Sequence, residues 1–349
     1  MEKFSSIDRI VGKAPEDAKK RILNKMEDVF KKQDLENLPY VGNLKDSEKE
    51  KTTEEIQILD FVNQATNGIR RKYGLSDLNV LAKNAHVILK EKWIGGSGES
   101  GGNIPGQQCF VMKECSSKTD FMHTSFHEML HFKSYTSLQV MEDDKNNLEL
   151  TNYRVGLTTT TRDGERLLFS NLNEAVTEKI TKRFLKAQEK NPLIEKEAEA
   201  TKEALKEHVK SYDNLTGAAI SDEVYYGKLE DCKFNKVNKK KKEEMAKAVG
   251  LDEAEEYFPD FGKEFKGEFF SYKKERQMLD KLIEKILEKN LNKFKDSEEV
   301  FEIFAKGMMT GNILPIGKLI ERSFGSGTFR KIGELDEDAE AQYDFVNSL

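Results

Sequence analysis

The chain has 349 residues and a mass of 40.0 kDa, enough for one large domain or two ordinary ones with a sizeable core. Its three cysteines, Cys109, Cys115 and Cys232, are an odd number that argues against a secreted disulfide framework. The 63 acidic residues against 57 basic ones leave a net charge of -6, which offers no general attraction to nucleic acid.

Hydrophobic residues make up 37% and charged residues 34%, but 21 Phe and 10 Tyr argue against wholesale disorder, so the composition suits a soluble, helix-rich protein. The amino terminus lacks the apolar stretch of a signal peptide, and no run approaches the length of a membrane span. A cytoplasmic location is expected, with no membrane partner, although a leaderless effector would read the same way.

In chain order, residues Ser5 to Gln33 are good helix formers, with Ile10, Ala14, Ala18, Ile22 and Met26 at near-helical spacing. Residues 1–51 are therefore expected to form a helical arm and a charged linker. A stronger helix starts near Thr52, which stands at capping-box spacing from Glu55, and Gly74 supplies its stop signal. His86 to Ile94 and Gln108 to Lys113 read as strands, separated by a glycine-rich loop from Gly95 to Gly106.

An amphipathic helix is expected from about Asp120 to Val140. Two strands, Tyr153 to Thr160 and Glu165 to Phe169, follow it, joined through the turn-favouring pair Asp163-Gly164. Another helix begins near Asn173. Beyond Pro192 the strand signal fades, and Leu193 to Val209, Tyr272 to Leu291 and Ser297 to Met309 read as helices. These features predict an α+β protein, with one domain over 52–190 and a mainly helical carboxy-terminal domain over 191–349. No repeat at solenoid period is present, and Lys239 to Lys242, followed by Glu243 and Glu244, reads as a solvated helix face.

The informative segment is His127-Glu128-Met-Leu-His131, a His-Glu-x-x-His motif inside a predicted helix. Histidines four residues apart share a helix face and can offer imidazole nitrogens to one metal ion. The adjacent Glu128 can reach a water activated by the metal, take its proton and pass it to a leaving amine. With five histidines in the chain, an accidental match is expected in on the order of one such sequence per hundred, so chance is a poor explanation.

A catalytic zinc usually takes three protein ligands and leaves one position open. Ser134 and Ser137 stand where an extended Gly-x-x-His motif would need Gly and His. The next candidates are Glu174 and Glu178, four apart on one face of the later helix. Glu174 could bind the metal while Glu178 accepts the other N–H of a ligand histidine. Plainer readings stand beside these: Asn171 and Glu174 have capping-box spacing, and Glu178 sits near Lys179 and Lys182.

These paired motifs, His127-Glu128-x-x-His131 and Asn173-Glu174-x-x-x-Glu178, resemble those of the gluzincin clan of zinc metallopeptidases, over roughly Thr52 to Phe184. The resemblance implies that 52–190 is a zincin-like catalytic domain with a small mixed sheet whose edge lines the cleft, and that Gln108 to Lys113 is the edge strand. It also implies Zn²⁺ held by His127, His131 and Glu174, Glu128 as general base, and a peptide or protein substrate. The clan's usual acid at the position of Glu178 is Asp.

His123, four residues before His127, is expected to be a partly exposed helix histidine, because each four-residue step also turns about 40°. His86 and His208 read as structural or exposed. Gly96 to Gly101 matches Gly-x-Gly-x-x-Gly but lacks the helix that would cradle a phosphate, so a mobile rim loop is expected instead of a cofactor site. Arg154, Tyr153, Tyr225, Tyr226 and Tyr272 are all conceivable oxyanion donors, with none assigned. Oligomeric state has no signal. Two other functions fit the sequence: an interaction protein with a structural zinc, or a leaderless effector protease with a single substrate.

Overall fold

The structure is a computed structural model, and it describes residues 3–32, 46–93, 95, 100–115, 117–142, 148–197 and 272–349. Cys232, His208, Tyr225, Tyr226, Lys239 to Lys242, and most of Gly96 to Gly101 and of Leu193 to Val209 lie outside them. The protein is mixed α+β, with two small sheets among many helices. No helix of the described residues is long and apolar enough to cross a membrane.

The amino-terminal segment holds a strand before its helix: β1 (Arg9–Gly12) and then α1 (Glu16–Lys32). Ile10 is therefore a strand residue, paired with Leu138 in parallel register. Helix α2 (Thr53–Lys72) opens with the capping box expected from its sequence, in which Thr52 Oγ1 accepts from the Glu55 N–H and Glu55 Oε2 accepts from that of Thr52.

The smaller sheet contains β2 (Ala85–Ile88), β3 (Gly101–Ile104) and β4 (Cys109–Lys113), in the order β2-β4-β3. This corrects the expectation for Gln108 to Lys113. That segment forms the central strand, parallel to β2 and antiparallel to β3. The edge strand is β3, inside the segment expected to be a loop. Gly-Gly-Asn-Ile carries none of the β-branched alternation that marks a strand, so its conformation comes from pairing with β4.

Helix α3 (Lys118–Lys133) carries the His-Glu-x-x-His motif and is capped by Ser117, whose side chain accepts from the Asp120 N–H. It is not amphipathic. All its residues from Phe121 to Lys133 are buried, as befits a helix surrounded by other elements. It also stops earlier than expected. Ser134 takes an extended conformation and donates its hydroxyl to the His131 carbonyl, and β5 (Thr136–Glu142) follows. Leu138 and Val140 thus belong to a strand held between β1 and β6 (Leu148–Val155), a long-range pairing that overrides local helical tendency.

Strands β7 (Thr158–Thr160) and β8 (Leu167–Leu168) complete the five-stranded sheet β1-β5-β6-β7-β8. Asp163-Gly164 lies in the β7–β8 turn, with Gly164 at a φ of 80°. Helix α4 (Ser170–Ala187) then packs on α3, with Phe126 and Phe184 stacked at 3.8 Å between ring centroids. Five helices follow in the described carboxy-terminal part: α5 (Lys273–Lys289), α6 (Ser297–Thr310), α7 (Leu314–Phe324), α8 (Thr328–Glu334) and α9 (Ala339–Ser348). Helices α5 and α6 lie against α4, and apolar residues of α2, α3, α4, α5 and α6 share one continuous core.

The start of α4 is fixed from a distance. Its N-cap residue is Phe169, in the left-handed conformation and with no side-chain cap of its own. Asp336, just beyond α8, fills that role by accepting from the backbone N–H groups of Ser170 and Asn171. The plainer reading of Asn171 and Glu174 as a capping box is not what forms here, since Phe169 is the N-cap and the Asn171 carboxamide donates to the Asp336 carbonyl.

Candidate metal centre

Helices α3 and α4 run antiparallel where they meet, so their side chains pair turn by turn. Glu174 Oε2 lies 3.1 Å from His131 Nε2 and 3.2 Å from His127 Nε2, and the two Nε2 atoms are 3.1 Å apart. One turn further along α4, Glu178 Oε2 lies 2.7 Å from His127 Nδ1. The two carboxylates expected at the site thus reach the motif, Glu174 on its open side and Glu178 behind it.

Three donor atoms with these spacings could hold a metal ion. Ligands about 2.0 Å from a tetrahedral ion stand roughly 3.3 Å from one another, close to the separations found here. The donor set also fits zinc, which accepts two imidazoles and a carboxylate in its open-site form. The His127, His131 and Glu174 side chains line a cleft together with Glu128, Tyr272 and the edge strand β3.

Charge in the cluster is tightly organised. Burial alone would push His127 down, but its hydrogen bonds to Glu174 and Glu178 outweigh burial and hold it well above its ordinary value. Burial would raise both carboxylates. The neighbouring histidines reverse that, bringing Glu174 far below the usual carboxylate range and Glu178 to about 2.

The edge strand makes room for Glu128. A Cβ at Gly101 would stand 2.5 Å from Glu128 Oε1 and 2.6 Å from its Cγ, so only glycine leaves that carboxylate its position. Gly156 does the same for Asn173: its φ is 59°, and a Cβ there would be 2.2 Å from Asn173 Oδ1. Asn173 in turn accepts from the Leu157 N–H through Oδ1 and presents Nδ2 to His131 Nδ1 at 3.3 Å.

Among the oxyanion candidates that the structure describes, Tyr272 is the one that lines the cleft. Its ring stacks on His127 at 5.8 Å with a 14° tilt. Burial beside Glu174 and Glu128 pushes its phenol well up, so it stays protonated and able to donate. Arg154 turns away, donating to the carbonyls of Gly156 and Gly311. His86 is buried and meets Glu48 Oε1 at 3.0 Å, far from this chemistry in sequence and in role.

Sequence reasoning misplaced His123. It is 6% exposed rather than at the surface, and its Nε2 lies 2.9 Å from Glu178 Oε1. The 40° turn per four residues carries His123 off the cleft, and there Glu178 of α4 meets it.

No family model matches this chain, and neither a curated protein nor a solved structure does.

Proposed function

We propose that the protein is a zinc-dependent metallopeptidase of zincin-like, gluzincin type, acting on a peptide or protein substrate. The observation that carries this reading is the convergence of His127 Nε2, His131 Nε2 and Glu174 Oε2 within hydrogen-bond distance of one another on a cleft that also holds Glu128. Zinc bound by those three residues would supply a Lewis acid that acidifies water and polarises a carbonyl.

The chain's own residues supply the rest. Glu128, desolvated and raised, accepts the proton of the attacking water and returns it to the departing amine nitrogen. Tyr272, protonated and stacked over His127, can donate its hydroxyl hydrogen to oxygen charge developing in the cleft. Glu178 accepts from His127 Nδ1–H, which leaves Nε2 as the ligand atom and fixes the ring plane. A purely structural zinc gives no reason for a buried carboxylate next to the ligands with a glycine strand shaped around it.

The test is metal analysis with a peptide-library digest, run in parallel on the wild type and Glu128→Gln. The expected result is about one zinc per chain in both proteins, with turnover at least about a hundredfold lower in the variant. Equal hydrolysis by both would eliminate Glu128 as the base.

A further inference from the structure

The histidine row of α3 has a third member. His123, His127 and His131 follow one another at four-residue steps, and Glu174 and Glu178 answer them from α4. Glu174 bridges His131 and His127, and Glu178 bridges His127 and His123. Neither His123 nor Glu178 lines the cleft, and Glu178 is fully buried, so this last rung lies behind the metal ligands rather than in reach of substrate.

A glutamate is a loose device for orienting an imidazole, because its carboxylate sits on three rotatable side-chain bonds where an aspartate has two. One hydrogen bond to His127 leaves the group free to pivot about that contact. A second, to the other oxygen, removes the pivot. The Glu178 carboxylate can only accept, so both histidines must donate: His127 through Nδ1–H and His123 through Nε2–H. With Oε1 held at 2.9 Å and Oε2 at 2.7 Å, the carboxylate has one orientation.

We propose that His123 is a positioning residue for the metal site, holding Glu178 so that His127 keeps its Nδ1 proton and presents Nε2 to the metal. The inference rests on the metallopeptidase reading above, and it adds a residue that touches neither metal nor substrate. A histidine that merely satisfies a buried acid would affect stability alone. A positioning residue must also change zinc affinity, and must do so only through Glu178.

The experiment measures zinc affinity by chelator competition, and melting in the zinc-free state, for wild type, His123→Phe, His123→Gln, Glu178→Ala and His123→Phe combined with Glu178→Ala. Phe keeps the ring volume without a donor, whereas the Gln amide can still donate to Oε1. His123→Phe is expected to weaken zinc about tenfold, in the range typical of lost orienting partners, and His123→Gln to recover most of that loss. In the Glu178→Ala background, His123→Phe should add less than about a twofold change, since its target is gone. Nitrogen-15 spectra of the wild type should show His123 protonated on Nε2, which tests the contact even if His123→Phe does not fold.

The inference is overturned if wild type binds zinc and His123→Phe binds it equally well, if the two losses multiply in the double variant, or if His123 carries its proton on Nδ1 alone. Failure of the wild type to take up zinc is a separate result: it removes the metal-site reading, and this inference with it.

Discussion

Gly101 of the edge strand faces Glu128 of the motif helix so closely that a Cβ would lie 2.5 Å from Oε1 and 2.7 Å from Cδ. The strand is held by β4, with Gly101 opposite Met112, so the glutamate must yield rather than the backbone. Gly101→Ala is therefore expected to displace the Glu128 carboxylate while leaving His127, His131 and Glu174 in place. Turnover should fall at least about tenfold, the scale of a misplaced proton acceptor, with zinc content unchanged. Metal analysis and kinetics on one preparation decide the matter, and full activity would mean that Glu128 does not act from this position.

The two downstream carboxylates should separate in mutagenesis. Glu174 offers Oε2 to both motif histidines on the cleft side, whereas Glu178 meets, among the described residues, the rear nitrogen of His127 and His123. Loss of a ligand opens the coordination sphere, and loss of an orienting partner typically costs roughly 10- to 100-fold in affinity or activity. Glu174→Ala should thus weaken zinc binding more than Glu178→Ala, measured against a chromogenic chelator. The reverse order would make Glu178 the ligand, and equal wild-type affinity in both would place the third ligand elsewhere.

Protonation and metal binding compete at His127. Its value is raised above 6.5 by Glu174 and Glu178, which overcome the opposing effect of burial, so near neutral pH its Nε2 carries a proton that a cation must displace. Zinc affinity should therefore rise with pH, by about tenfold per unit while His127 remains protonated in the zinc-free protein. The zinc-free fold should show the opposite trend. A raised histidine stabilises fully below its unfolded value and loses that contribution as pH climbs through the folded one. The depressed Glu178 stabilises above about 4.5 and loses its contribution as pH falls toward about 2. Melting temperature without zinc should peak between roughly pH 4.5 and 6.5 and decline on either side, while the stabilisation given by added zinc grows with pH. Affinity that does not vary between pH 6 and 8 would contradict this account.

How much of this could be read from the chain depends on whether the signal is local. His127 and His131, and Glu174 and Glu178, are each four apart within one helix, and helical spacing alone puts each pair on a common face. The capping box at Thr52 and Glu55 is local too. What the sequence could not give is whatever depends on a distant partner. Gly101 to Ile104 is a strand because Cys109 to Met112 pairs with it, and Thr136 to Glu142 leaves the helical pattern because β1 and β6 enclose it. The burial of His123 depends on where α4 crosses, which no pattern within α3 encodes. The buried polar residues of α3 also flatten its periodicity, so a central helix resembles a surface one until its neighbours are in place.

The same dependence on distance makes Asp336 the most testable link between the carboxy-terminal helices and the site. It is 163 residues beyond Asn173 in number but accepts from the first N–H groups of α4, the helix that carries Asn173, Glu174 and Glu178. Phe169 cannot perform this role, having no hydrogen-bonding side chain. Asp336→Ala leaves those two N–H groups without their carboxylate and should lower stability by about 1 to 2 kcal/mol, the usual cost of a lost cap. Because fraying would begin within a turn of Glu174, zinc affinity should fall as well, whereas Glu178, one turn deeper, should keep its contacts. The checks are thermal melting and zinc competition for Asp336→Ala beside Asp338→Ala, which removes a comparable cap from the start of α9 instead. If both variants lose stability but only Asp336→Ala weakens zinc, α4 is held in register from the carboxy-terminal helices. Equal zinc affinity in the two would reduce Asp336 to an ordinary cap with no bearing on the site.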